Sequence, residues 1–341
     1  MQQTILAPME GVIDAPMRAR LTGIGGYSRC VTEFVRVTNV LLPERVFFRL
    51  CPELHRDGCT PSGTPVYVQL LGSDADAIAR NATRAWQLGA RGVDLNFGCP
   101  AKTVNNSMGG SILLREPPLV ATIVRSVVDA VGDKLPVTAK IRLGYDNIDS
   151  LADIVSGIFD AGVTELAIHA RTKFDGYKPP AFWQHVKPVM QGDRATKTVI
   201  NGEIWSVVDG NEAMLQSGCR HIMLGRGALS APDLALRFQN QSPEASPRAW
   251  TFLLDDVLDQ FLTSDCNSPR HIGNRTKQWL AYLKRTYPEA NQLFQRVRTL
   301  HSVNDIVSAF DQHRKVDLMK FEAAWVNENA LKHPLDHQVV R

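Results

Sequence analysis

Gly92-Val93-Asp94-Leu95-Asn96-Phe97-Gly98-Cys99-Pro100-Ala101-Lys102, then Pro117–Val131, then Val137-Thr138-Ala139-Lys140-Ile141-Arg142, reads as strand, loop, helix and strand. The first and last runs are short, apolar and rich in β-branched residues, and each ends in polar or glycine residues. The middle stretch opens on two prolines and then repeats apolar residues at helical spacing. Parallel strands need such a crossover between them, so the segment is one unit of a parallel sheet. Similar strand-like runs lie at Thr4–Met9, Cys30–Val37, Pro65–Leu70, Glu165–His169, Thr198–Asn201 and Ile222–Gly225. Helix-like stretches at Asp74–Leu88, Ser150–Asp160 and Val207–Ser217 separate several of them. Eight units in about 230 residues fit a closed (β/α)8 TIM barrel better than an open doubly wound sheet.

The residues at the strand ends strengthen that expectation. They are Met9-Glu10, Glu33 and Arg36, Gln69, Asn96 and Cys99, Lys140 and Arg142, His169 and Arg171, Asn201 and Glu203, and Arg226. In a barrel these all face one mouth, where the loops vary without disturbing the packed interior and where barrel enzymes build their sites. Any one of them could simply cap a strand; the full ring points to a site.

After Pro243 and Pro247 the pattern becomes helical, without strand signals, at Trp250–Leu262, Thr276–Tyr287, Ala290–Leu300 and Val303–His313. The expected organisation is a barrel over 1–242, a helical bundle over 243–320 joined by the Ser-Pro stretch at 242–247, and a helix or tail over 321–341. The 341 residues are 44% hydrophobic and 21% charged, which suits a soluble two-domain protein. No run approaches the roughly 18 apolar residues of a membrane span and no signal peptide is evident, so a cytoplasmic location is expected. The six cysteines form no CxxC pair, which argues for reduced thiols and against zinc or a disulfide scaffold.

Cys99 follows a strand directly and sits between glycine and proline, in a loop suited to positioning a side chain. A thiol with an ordinary pKa near 8.5 is mostly protonated at neutral pH and can act as a general acid. A cysteine is otherwise a small buried hydrophobe, and here Asn96, Gly109-Gly110 and the polar ring favour the chemical reading. Lys140 interrupts a β-branched run and would be costly against a packed core, so it implies an anionic partner at the mouth. A reduced flavin, negative near N1 and O2, is such a partner. His169 could donate to the same group. Asn201-Gly202-Glu203 and Gly225-Arg226-Gly227 follow the seventh and eighth strands, where barrels commonly bind phosphate on backbone amides, and Arg226 would add a cation.

The net charge of +3 alone implies no nucleic-acid partner. Between Arg270 and Arg298, however, Arg270, Arg275, Lys277, Lys284, Arg285, Arg296 and Arg298 oppose only Glu289, a local excess of 7 − 1 = +6. Trp279, Tyr282, Tyr287 and Phe294 are interspersed and read as bundle core, while the cations suit phosphate contacts or a solvated helix face.

Leu6-Ala7-Pro8-Met9-Glu10-Gly11-Val12, Asn96-Phe97-Gly98-Cys99-Pro100 with Lys102, Lys140-Ile141-Arg142-Leu143-Gly144, His169-Ala170-Arg171-Thr172 and Asn201-Gly202-Glu203-Ile204 closely resemble the motifs of the tRNA-dihydrouridine synthase family. The resemblance spans roughly residues 4–315. Glu33-Phe34-Val35-Arg36, Lys277-Gln278-Trp279-Leu280 and the region of Arg296 and Arg298 resemble the bacterial C-type subfamily, which modifies uridine 16. This resemblance implies FMN across the mouth on Pro8, Met9, Gln69, Lys140, His169, Asn201, Gly202, Glu203, Gly225 and Arg226. It implies Cys99 as the acid, Asn96 and Arg142 at the target uridine, Lys102 among the residues that bind substrate or tRNA, and Arg36, Tyr177, Arg275, Lys277, Arg296 and Arg298 orienting tRNA. NADPH would be the reductant, with no metal, no membrane partner and a monomeric chain. Two other readings are a flavin barrel acting on a free pyrimidine, such as a dihydroorotate dehydrogenase, and a tRNA-binding protein without chemistry.

Overall fold

The computed structural model describes residues 2–240, 247–265 and 271–316. Most of the expected Ser-Pro linker, Arg270 and the tail after residue 320 lie outside the described residues. By internal contacts the chain divides into two compact units, Met1–Pro247 and Arg248–Arg341.

The first unit is a closed parallel barrel of eight strands: β1 (Thr4–Leu6), β2 (Arg29–Val31, continued at Val35–Arg36), β3 (Val66–Leu71), β4 (Val93–Phe97), β5 (Val137–Arg142), β6 (Glu165–His169), β7 (Thr198–Asn201) and β8 (His221–Leu224). Neighbours pair in sequence order, and β8 returns to β1 through Met223 opposite Ile5. Closure leaves no free sheet edge. Side chains alternate between the two faces of a strand, so every second residue points inward. Ile5, Ala7, Val31, Ala167, Val199 and Met223 form the apolar interior, with Tyr67 packed against them. One alternation nearer the strand C-termini on β3 to β7, the inward positions are Gln69, Asn96, Lys140, His169 and Asn201. The polar ring is therefore the top layer of the same packed interior.

The structure corrects several element boundaries. β1 stops at Leu6, short of the expected Met9; Pro8 has no N–H with which to extend the ladder. The expected strand Cys30–Val37 is broken, because Val31 pairs with Tyr67 but Val35 pairs with Leu70, leaving one extra residue on β2. This is a β-bulge, and such features re-aim side chains near sites. Glu33, within it, accepts a hydrogen bond from the Gly11 amide. Between β6 and β7 there is no α-helix, only 3-10 turns at Trp183–His185, Lys187–Val189 and Gly192–Thr196.

In the second unit the helices are Trp250–Gln260 with a wide turn Phe261–Asp265, Asn274–Leu283, Pro288–Val297 and a helix over 303–316. Trp250, Trp279, Leu280, Leu283, Tyr287, Leu293, Val297, Ile306 and Phe310 are buried, so Trp279 and Tyr287 belong to the bundle core. Trp250 donates to His313 at 3.3 Å.

Helix Ala15–Ile24 is attached through a buried ion pair. Arg18, with no exposed surface, meets both carboxylate oxygens of Glu53 at 2.8 Å and donates to the carbonyls of Ile13 and Leu50. Removing one partner of a buried pair leaves the other charge unpaired in an apolar site. Glu53→Ala is therefore expected to lower the free energy of unfolding by about 3–5 kcal/mol, read by urea denaturation. A loss below about 1 kcal/mol would show that Arg18 finds water or another partner.

Candidate active site

The Cys99 loop is held at both faces of its peptide units. The Asn96 side-chain oxygen accepts the amides of Gly98 and Cys99 at 3.0 and 2.9 Å. The carbonyl of Cys99 accepts three hydrogen bonds, from the Asn105 side chain and from the Ser111 amide and hydroxyl, at 2.9 to 3.0 Å. Gly110, with φ +68°, passes so close that a Cβ there would lie 2.7 Å from the Cys99 carbonyl oxygen. Glycine is needed at that position for both reasons. The thiol is half-buried, and burial pushes its pKa up, opposed by the Ala101 amide and by the nearby Arg142 and Lys140 cations. Cys99 is thus a protonated, positioned thiol at neutral pH.

Arg142 joins this loop to the one after β6. Its guanidinium donates to Gly98 at 2.8 Å, Thr172 at 3.0 Å and Gly176 at 2.8 Å, all backbone carbonyls. The ring of Tyr177 covers it at 5.2 Å, and the same ring lies 5.4 Å from the Arg226 guanidinium and 6.1 Å from His169. Tyr177 is 55% exposed.

Lys140, His169, Asn201, Glu203 and Arg226 form the wall across β5 to β8. Lys140 donates to the Asn201 side-chain oxygen at 3.2 Å, while Asn201 donates to the Met223 carbonyl. Burial and the neighbouring Arg142 bring the Lys140 pKa down to about 8, against the pull of Asp94 and Cys99. Burial, together with Arg142, Lys140, Arg171 and Arg226, holds His169 well below its usual range, so it is a neutral imidazole at pH 7. Partial burial raises Glu203, but hydrogen bonds from Arg171 and Trp205 outweigh it and keep the group ionised. Glu203 pairs with Arg171 and lies 3.4 Å from Arg226, whose guanidinium also stacks 5.1 Å from Trp205.

The loops after β7 and β8 are built for backbone approach. Gly202 has φ +112°, and a Cβ on it would meet His169 at 2.8 Å. On Gly227 a Cβ would fall 2.1 Å from the Ile204 carbonyl oxygen. Pro8 and Met9 are half-buried at the end of β1, and the Met9 sulfur lies 3.5 Å from where a Cβ of Gly225 would be.

Most of the residues expected at the mouth are therefore gathered there, with some of their hydrogen-bonding capacity spent on the protein itself. Arg36 is exposed and donates to the Thr103 carbonyl and the Ser107 hydroxyl, bracing the turn that follows Cys99. Lys102 is exposed at the start of the short helix Lys102–Asn105. In the second unit Arg296 and Arg298 are exposed, Arg275 is half-buried, and Lys277 donates to the Leu300 carbonyl at 2.5 Å. Sequence reading overlooked Asn105, Ser111, Trp205 and the bracing by Arg171. Asn105 and Ser111 carry no signal beyond their nearness to Cys99, whereas Trp205 directly follows a motif already noted. Among the described residues no cluster of His, Cys, Asp and Glu is arranged to hold a metal, and no helix is long and apolar enough to cross a membrane.

Fold and site together define a parallel-barrel enzyme with a ring of polar side chains at the C-terminal mouth, where such barrels build their sites. The dihydrouridine synthase family model matches residues 5–316, and the chain belongs to that family. It is 47% identical over 312 residues to the tRNA-dihydrouridine(16) synthase of Shewanella oneidensis, covering 91% of this chain and 98% of the relative. It is 45% identical over 315 residues to the protein of the same name from Vibrio cholerae, covering 92% and 96%. Among solved structures, DHODH from Eimeria tenella superposes with a TM-score of 0.52 at 12% identity, over 76% of this chain and 82% of that one. Histamine dehydrogenase from Rhizobium sp. 4-9 gives 0.51 at 16%, over 71% and 46%. At such identities these two likenesses concern the barrel alone.

The depressed Lys140 pKa has a sign that can be tested. Between about 8 and the ordinary 10.5 the unfolded chain holds a proton that the folded chain lacks, so stability rises with pH across that window. Relative to Lys140→Met, the wild type is expected to gain up to about 1.4 kcal/mol per pH unit from about pH 8 to 10, measured by urea denaturation. A constant difference would place the Lys140 pKa at its ordinary value.

Proposed function

We propose that this chain reduces a uridine of tRNA, at position 16 of the D-loop, to 5,6-dihydrouridine, with FMN as cofactor, NADPH as reductant and Cys99 as proton donor. The observation that carries the reading is the protonated Cys99 thiol, clamped beside the Lys140 and Arg142 cations at the barrel mouth. The names of the relatives supply the substrate and the position. Saturating the 5,6 double bond takes one hydride and one proton. FMN, when bound, supplies the hydride to carbon 6.

The residues present fit such a cofactor. Lys140, oriented by Asn201, offers its charge to an anionic ring edge. Neutral His169 and the Gly202 and Gly225 loops, with Arg226, offer donors and close backbone approach to a phosphate. Pro8, Met9, Gln69 and Glu203 complete the set. Cys99 then delivers its proton to carbon 5, and the bonds to Asn96, Asn105 and Ser111 keep it in place. A base stacked within tRNA cannot reach this layer, so it must be extruded into the mouth. There Asn96, which spends one hydrogen of its side-chain amide on the Gln69 oxygen, and Arg142 would meet it, with Tyr177 beside them. Arg36 and Lys102 on the barrel, and Arg275, Lys277, Arg296 and Arg298 on the helical unit, are assigned to tRNA. A free pyrimidine would leave the exposed cations among these without a role, and a binding protein without chemistry would not need the clamped thiol.

Nucleoside mapping of tRNA from cells lacking this gene tests the reading, with purified protein, FMN and NADPH added back. Dihydrouridine restored at position 16 is the expected result; restoration elsewhere overturns the position, and none anywhere overturns the reaction. Cys99→Ala should keep bound FMN and its reduction by NADPH while slowing uracil reduction by about 10²-fold or more; an unchanged rate removes Cys99 from the chemistry. Replacing Arg296 and Arg298 together by alanine should lower the slope of log affinity against log salt by about 2, measured by tRNA titration at several salt concentrations. An unchanged slope would take both off the phosphates.

A further inference from the structure

Beneath the mouth lies a buried carboxylate with no part in the mechanism above. Asp94, on β4 and 2% exposed, accepts from the Gln69 side-chain amide at 2.7 Å and from the Thr138 hydroxyl at 2.6 Å. Gln69, itself fully buried, accepts from the Asn96 side-chain amide at 2.8 Å. The side-chain oxygen of Asn96 accepts from the amides of Gly98 and Cys99. These groups form one chain from the barrel interior to the thiol loop.

That chain has a direction. A side-chain amide can turn over and exchange its donor and acceptor ends at little steric cost, so neither Gln69 nor Asn96 fixes its own orientation. Burial raises the Asp94 pKa, opposed by the Gln69 and Thr138 hydrogen bonds and by the Lys140 and Arg29 charges; in its ionised form the carboxylate can only accept. Facing Asp94, Gln69 must present its NH2, which turns its oxygen to Asn96; Asn96 must then present its NH2 to Gln69 and its oxygen to the loop. Were Asn96 reversed, two backbone amides would face an NH2 group and lose their acceptor inside a nearly buried site.

We propose that Asp94 is a positioning residue, whose charge sets the polarity of the Gln69–Asn96 relay and through it holds the Cys99 loop in its working geometry. Gln69 and Asn96 thereby act as an oriented pair, whatever further contacts they make with a ligand. The proposal rests on Cys99 being the proton donor, but its first readout does not require that.

The test follows alkylation of the Cys99 peptide by iodoacetamide, quantified by mass spectrometry on the folded protein, beside steady-state tRNA reduction. Asp94→Asn keeps the shape but lets either end of each amide face the other. The expected result is alkylation several-fold faster, because a loosened loop exposes the thiol, and kcat about tenfold lower with KM for tRNA unchanged. Adding Gln69→Glu to Asp94→Asn restores an acceptor-only group one step along the chain. The amide introduced at position 94 can donate to the carboxylate introduced at position 69, and that carboxylate again forces Asn96 into its original orientation. The double variant should return alkylation to the wild-type rate, which a role in packing alone would not predict. Gln69→Glu by itself sets two carboxylates against each other and should loosen the loop, so it gives the same contrast with the double variant if Asp94→Asn alone does not fold. Wild-type alkylation in either single variant, or no recovery in the double, overturns the relay. Normal relay behaviour together with unimpaired Cys99→Ala would overturn the proton-donor reading and leave the positioning of the loop intact.

Discussion

The Arg142 guanidinium is the tie on which the rest of the mouth depends. Its hydrogen bonds to Gly98, Thr172 and Gly176 fasten the loop after β4 to the loop after β6. A cation can be buried there because carbonyl oxygens and a tyrosine ring replace the water it has lost. Burial first, and the positive field of Arg142 second, keep His169 neutral and bring Lys140 down. Arginine suits the task better than lysine, since its planar fork can serve carbonyls on two separate loops at once.

The two sides of the mouth are made differently. On the β4 side, side chains hold backbone: Asn96, Asn105, Ser111 and Arg142 all spend polar atoms on loop peptides. On the β7 and β8 side, glycines let backbone lie against backbone, as Gly227 does against Ile204. The first construction fixes the Cys99 loop through side chains; the second brings glycine backbone against neighbouring backbone and side chains. Arg171 and Glu203 tie the loop after β6 to the loop after β7, with Arg171 also donating to the carbonyls of Lys178 and Pro180.

Much of this was legible in the chain. Period-two alternation in Val137–Arg142 and Glu165–His169 already places Lys140, Arg142 and His169 on one face, and closure of the barrel turns that face inward. The bulge in β2 was hidden because Thr32, Glu33 and Phe34 suit a strand as well as their neighbours do; only the pairing with β3 reveals the extra residue. The turns between β6 and β7 could not be told from a short helix by composition. Asn105 reaches the Cys99 carbonyl from the short helix Lys102–Asn105 and Ser111 from beyond Gly109 and Gly110, and local pattern does not encode which carbonyl either side chain will meet. The resemblance places Arg142 near the target uridine; the structure adds that its guanidinium donates to the Gly98, Thr172 and Gly176 carbonyls, a bracing role that a cation at a strand end does not announce.

Burial that keeps the Cys99 thiol protonated has a further effect, on durability. Oxidants attack the thiolate and hardly touch the neutral thiol, so a cysteine kept in its acid form is slow to pass to sulfenic acid and beyond. The burial that holds the proton on Cys99 thereby also shields its sulfur from peroxide. A buried acid of another kind could hold a proton too, but the sulfur at Cys99 is both weakly solvated and, in this setting, chemically quiet.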